Sequence, residues 1–174
     1  SKKTSGKNSQ SVLAARDKQK DASSATPHQL KLLRKAAADT TMLILRRGTY
    51  QYDSEDPGSP IIEVDISKQV AAAVEGATCY EPEYSFPLPE VSEHAVMMVE
   101  VMDGTTLSAC RRLWKETGGN VGCLAYASGK YPGGGFLGGT GGQEESIARS
   151  SAYYLCAVKG NDMYDANRTT KDPF

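Results

Sequence analysis

Pro132-Gly133-Gly134-Gly135-Phe136-Leu137-Gly138-Gly139-Thr140-Gly141-Gly142-Gln143-Glu144-Glu145-Ser146 is the stretch from which the fold can be read. Glycine dominates it, and a glycine-built loop lets backbone approach a partner closely because no Cβ intervenes. An apolar run, Val121 to Ala127, leads in and reads as a buried strand. A helical pattern leads out from Gln143 to about Val158, with Ile147, Ser151, Leu155 and Val158 on one face. A strand passing through glycines into a helix start places a ligand crevice at the strand's carboxyl end, as in open α/β sheets. Backbone N–H groups of the loop and the helix start make an anion cradle.

The acidic pair adds chemistry. Glu144 and Glu145 point about 100° apart around a helix and, in a first turn, can border one cleft. The helix dipole favours an ionised carboxylate, whereas a neighbouring carboxylate or a ligand diphosphate pushes one of the pair to keep its proton. One ionised and one protonated carboxylate suit glycosidic cleavage through an oxocarbenium-like transition state. Two plainer readings stand beside this one. A glycine run is also the composition of a linker, and acidic residues at a helix start also simply complement its dipole. The loop lacks the Gly-Lys-Ser/Thr ending of a Walker A, and its GxGxxG spacing alone is a weak dinucleotide signal.

Upstream, Ala95 to Met102 reads as another buried strand, and Leu107, Cys110, Leu113 and Trp114 as the apolar stripe of a helix stopped by Gly118-Gly119. Ala95 to Ala127 is therefore expected to form a parallel strand-helix-strand unit. Ala77 to Pro89 is expected to be irregular and packed by Tyr80, Tyr84 and Phe86. Earlier still, Thr26-Pro27 starts a helix, with Leu30, Leu33, Ala37 and Ile44 on its stripe and Arg46-Arg47-Gly48 at its end. Strands are expected at Thr49 to Tyr52 and Ile61 to Ile66, and a helix from Ser67 to Glu75. Residues 1–25 are polar and read as a disordered tail, leaving 26–174 as the domain.

Composition narrows the function. The chain has 174 residues and a net charge of −1, so no overall field points to nucleic acid or membrane. Cys79, Cys110, Cys123 and Cys156 show no CxxC spacing, and His28 and His94 complete no metal set. Three of these cysteines sit in apolar segments and are expected to be buried free thiols in a reducing, intracellular compartment, cytoplasm or nucleus.

Tyr131 to Tyr154, with its GGG, short spacer and QEE followed by an Arg-Ser-Ser run, closely resembles the signature of microbial-type poly(ADP-ribose) glycohydrolases. The segments Asp103 to Ala109 and Leu124 to Gly129, and the opening helix with Gly48-Thr49-Tyr50, resemble further segments of that family. The resemblance implies an α/β, macrodomain-like fold, a mixed sheet flanked by helices, here incomplete at its C-terminus because the family continues through further strands and another glycine-rich loop. It implies hydrolysis of the ribose–ribose O-glycosidic bond of poly(ADP-ribose), with neither metal nor organic cofactor. By the same resemblance, Gly133, Gly134 and Gly135, with Phe136, would bind substrate at the diphosphate. Gln143 would orient the acidic pair, Glu144 would hold ribose hydroxyls, and Glu145 would be the general acid and base. The expected partner is poly(ADP-ribose) or an ADP-ribosylated protein; membrane and sequence-specific nucleic acid are excluded, and the chain is expected to act as a monomer. Ala125 stands where the family usually carries Asn, which leaves a non-catalytic ADP-ribose-binding module, or an inactive fragment, as the alternatives.

Overall fold

A computed structural model describes residues 25–52, 60–81, 83–88 and 98–170. The expected tail, apart from Ala25, lies outside the described residues. The chain divides into two compact units, one of Ser1–Ala77 with Ala125–Phe174 and one of Thr78–Leu124.

The first unit begins with α1, Pro27–Arg47. Its start is fixed by a reciprocal cap: Gln29 N–H donates to Thr26 Oγ1 at 3.3 Å and Thr26 N–H donates to Gln29 Oε1 at 2.8 Å. Gly48 ends the helix, its N–H donating to Ile44 O at 2.8 Å. Strands β1 (Thr49–Tyr52) and β2 (Ile62–Asp65) then pair antiparallel, Thr49 opposite Asp65 and Tyr52 opposite Ile62. Helix α2, Ser67–Gly76, follows at once, with Asp65 Oδ1 accepting from Ser67 N–H at 2.8 Å.

The second unit contains α3, Thr106–Thr117, capped by Thr105. Tyr80, Tyr84 and Phe86 pack together in tilted and edge-on pairs, with ring centroids 4.7 to 4.8 Å apart. This is the aromatic packing expected of that irregular segment.

The expected parallel strand-helix-strand unit is not formed among the described residues. Its helix is α3, but 98–102 and 121–127 belong to no ladder, and 95–97 lie outside the described residues. Val99 and Val101 are 78% and 94% exposed. An apolar run encodes a preference for a buried strand, but the ladder bonds that define one come from a neighbour. Among the described residues the sheet is the antiparallel pair β1–β2.

The long helix expected from Gln143 to Val158 is also interrupted. The chain forms α4, Gln143–Arg149, then α5, Tyr153–Lys159, then α6, Asn161–Thr169. Ser151 causes the first break by local competition for backbone groups. Its hydroxyl donates to Ile147 O at 2.8 Å and accepts from Tyr153 N–H at 3.2 Å, so it ends one helix and starts the next. Helix α6, in a stretch that reads only as polar, is anchored by the buried Tyr164.

The core of the first unit is small and lies directly under the glycine loop. Ala38 from α1, Phe136 from the loop and Ala148 from α4 are fully buried, and Met42, Tyr153 and Tyr154 pack against them. The cysteines are free, as expected, but none is buried: Cys79 and Cys123 are exposed, Cys110 and Cys156 half-buried. No helix among the described residues is long and apolar enough to cross a membrane.

Candidate active site

The glycine loop is an ordered string of turns rather than a linker. Gly134 N–H donates to Tyr131 O, Phe136 N–H to Gly133 O and Gly138 N–H to Gly135 O, each at 3.0 Å, and Thr140 N–H returns to Gly135 O at 3.1 Å. Phe136–Gly138 forms a single 3-10 turn. The Phe136 ring anchors it, 5.3 Å from the Tyr154 ring and fully buried. The side chain expected to meet substrate lies in the core cluster with Ala38 and Ala148.

Both carboxylates converge on Gly134. A Cβ added there would lie 2.7 Å from Glu145 Oε1 and 3.0 Å from Glu144 Oε2, and the residue's φ of +56° is left-handed. Only glycine meets both demands without strain. Gly133 is equally confined, since its Cβ would lie 2.8 Å from Tyr154 Cδ2.

Each member of Gln143-Glu144-Glu145 holds a different piece of backbone. Gln143 Oε1 accepts from Tyr126 N–H at 2.8 Å. Glu144 is 3% exposed; its Oε2 accepts from Ser128 N–H at 2.7 Å and its Oε1 from Tyr153 Oη at 3.1 Å. Glu145 is half-buried, and its Oε1 accepts from Gly135 N–H at 3.0 Å. Gln143 and Glu144 thus strap the extended segment before the loop onto α4. Burial holds the Tyr153 phenol well above its ordinary pKa, and the Glu144 charge beside it adds to the effect.

The loop's N–H groups are already engaged at Gly134, Gly135 and Phe136, so they do not point freely outward as an empty cradle. With seven residues, α4 is also shorter than the helix expected to lend its dipole. What the arrangement offers instead is two carboxylates at one glycine, one pinned by two donors, the other more exposed and held by one. Among the described residues no cluster of His, Cys, Asp and Glu is fit to hold a metal ion.

Sequence reading missed Tyr153, Arg149 and Arg34 as parts of this neighbourhood. Arg149 Nη1 donates to Thr140 O at 2.9 Å, and Arg149 O accepts from Thr41 Oγ1 at 2.7 Å. Burial lowers the Arg149 pKa, Arg34 lowers it further by like charge, and Glu145 opposes both. Segment 129–130, which leads into the loop, is held by α6: Asn167 Nδ2 donates to Gly129 O at 2.8 Å, and Arg168 donates to Lys130 O. A cavity of about 380 Å³ is lined by Thr41, Tyr50, Val70, Arg149 and the α4–α5 break at Ser150–Ala152, and neither carboxylate lines it.

Residues 38–174 match the family described as the microbial-type PARG, catalytic domain, PARG being poly(ADP-ribose) glycohydrolase. The crystal structure of poly(ADP-ribose) glycohydrolase from Thermomonospora curvata is similar, at 38% identity and a TM-score of 0.69 over 80% of this chain and 50% of that one. A structure of the glycohydrolase from the same organism bound to the inhibitor ADP-HPD matches at 38% identity and a TM-score of 0.65, over 80% of this chain and 49% of that one. The chain spans about half the length of the solved structures it matches. These likenesses bear out the α/β, macrodomain-like fold class. No curated protein matches the chain.

Proposed function

The chain belongs to the family of microbial-type poly(ADP-ribose) glycohydrolase catalytic domains, and on that premise we propose that it hydrolyses the ribose–ribose O-glycosidic bond of poly(ADP-ribose). The observation that carries this reading is the convergence of Glu144 and Glu145 on Gly134. Glu145 is the more exposed of the two and acts as general acid, giving its proton to the leaving ribose oxygen as the glycosidic bond breaks. Positive charge develops on the ribose ring. Glu144, which accepts from Ser128 N–H and Tyr153 Oη, keeps lone pairs for the ribose hydroxyls. Glu145, now a carboxylate, takes a proton from the attacking water. The products are ADP-ribose and a chain shortened by one unit, or two shorter chains. The reaction as proposed consumes water and no cofactor.

Gly133, Gly134 and Gly135 lie on the diphosphate side of the ligand in this reading. Because Gly135 N–H is bonded to Glu145, a phosphate reaches it only as Glu145 swings toward the scissile bond. Substrate binding and delivery of the acid are thereby linked. Gln143 fixes the backbone at Tyr126 beside the ribose. The domain opens at the cap of Thr26, acts as a monomer on polymer or ADP-ribosylated protein, and works inside the cell, where exposed thiols such as Cys79 and Cys123 persist.

The test is release of ADP-ribose from poly(ADP-ribosyl)ated protein by the purified chain. Glu145→Gln is expected to bind ADP-ribose as the wild type does and to release none from polymer. A folded wild-type chain that releases nothing would sink the hydrolase reading. Ala125, which offers no side-chain donor to a ribose hydroxyl, favours the second reading, a binding module; tight ADP-ribose binding by calorimetry without turnover supports it.

A further inference from the structure

Two guanidinium groups meet at the part of the glycine loop that the proposed reaction does not use. Arg34, from α1, lies flat against Gly141: a Cβ there would be 2.7 Å from Arg34 Nη1 and 2.9 Å from Arg34 Cζ. Arg149, from the end of α4, is tied to Thr140 O next to it. The two cations are close enough for Arg34 to depress the Arg149 pKa. Arg149 feels the Glu145 carboxylate as partial compensation. Arg34 makes no hydrogen bond or ion pair among the described residues. Its neighbour Lys35 pairs with Asp39 at 2.8 Å. Two like charges this close repel, and an anion bridging them relieves the repulsion.

We propose that Arg34 and Arg149 form a phosphate-binding subsite at Thr140–Gly141, beside the acidic pair. It takes a phosphate group of the ADP-ribose polymer, and this assignment of ligand rests on the glycohydrolase reading. The planar fork of Arg34 presents paired donors to phosphate oxygens, and Arg149 supplies the second charge. The subsite would hold the polymer at Thr140–Gly141, so that Glu145 meets a bond of fixed register.

Binding of inorganic pyrophosphate, of ADP-ribose and of ADP-ribose oligomers of defined length tests this by calorimetry at two salt concentrations. Arg34→Gln, which keeps the stem and removes the charge, is expected to weaken oligomer binding roughly tenfold. It is also expected to lower the slope of log K against log salt by about one. Arg34→Lys is expected to restore the salt slope and only part of the affinity. An equal loss for ADP-ribose and oligomer would assign the subsite to the cleaved unit's own diphosphate; a loss confined to the oligomer would assign it to an adjoining unit. Unchanged affinity of all three probes for folded Arg34→Gln, judged by its melt, overturns the proposal. Pyrophosphate binding that depends on Arg34 in a chain without turnover would uphold the subsite while removing the glycohydrolase reading. Turnover indifferent to Arg34 at subsaturating polymer would do the reverse.

Discussion

The hydroxyl of Tyr153 donates to Glu144 Oε1 at 3.1 Å, and it does so because the helix between them is broken. In an unbroken helix nine residues turn the chain through about 180°, leaving Tyr153 on the face opposite Glu144. The break at Ser150–Ala152 folds α5 back so that the phenol meets the carboxylate. Ser151, whose hydroxyl bonds Ile147 O and Tyr153 N–H at that break, is thus a positioning residue for the acidic pair.

Tyr153→Phe removes a donor from a nearly buried carboxylate. It is expected to destabilise the first unit by about 1–3 kcal/mol, read as a lower urea midpoint. It also tests the raised phenol pKa. A group whose folded pKa lies above its unfolded value stabilises fully below the unfolded pKa of 10.0 and loses that contribution as pH rises beyond it. The wild type should therefore lose stability above pH 10 more steeply than Tyr153→Phe, and between pH 10 and 11 the two should show the same tyrosinate absorbance.

Gly134→Ala places a methyl group onto both carboxylates in a left-handed backbone. The backbone conformation alone costs about 1–2 kcal/mol. Displacement of Glu145 is expected to reduce turnover of polymer far more than it reduces the melting temperature. Equal turnover by this variant would mean that the carboxylates act from some other arrangement.

Phe136→Ala leaves a cavity among Ala38, Ala148 and Tyr154. A loss of about 3–5 kcal/mol is expected from such a truncation, enough to unfold a small unit. Phe136→Leu, which keeps most of the volume, should restore most of the stability and the activity; binding of ADP-ribose should track stability rather than the aromatic ring.

Asp65→Asn addresses the acid limb of stability. The Asp65 pKa is lowered chiefly by its hydrogen bonds from Ser67, side chain and then backbone. A depressed carboxyl contributes stability above the unfolded value of 3.8, and this is lost as pH falls through the lower folded value. Wild type and Asp65→Asn should differ in thermal midpoint at pH 6 and converge as pH drops below that range. A constant difference across the range would remove the assignment.

Capping made the first unit legible. Thr26, Pro27, Gln29 and Gly48 fix both ends of α1 by local bonds that need no distant partner, and β1, β2 and α2 follow within a residue or two of their expected limits. The strand-helix-strand unit was not legible in the same way, because Val99, Val101, Leu124 and Tyr126 advertise burial without saying what would cover them. Composition alone presents the glycines as an anion cradle; the fold adds that Gly134 admits two carboxylates and Gly141 lies against a guanidinium. Composition reports that space is left by a missing side chain; only the folded backbone says which group fills it. The role of Tyr153 was hidden by the helical period itself.

Gly139 seats the loop directly on the backbone of α1, where any Cβ would collide with Lys31 O and crowd Lys35 N. No side chain stands between the two backbones to act as a spacer. The acidic pair therefore inherits its coordinates from a helix far earlier in the chain. Sequence drift along α1 should be lopsided as a result: the outward Leu32 and Leu43 are open to exchange for polar residues, while the buried Ala38 and the confined Gly139 are not. In a set of diverging relatives, these two positions should keep their small residues longer than the exposed ones around them.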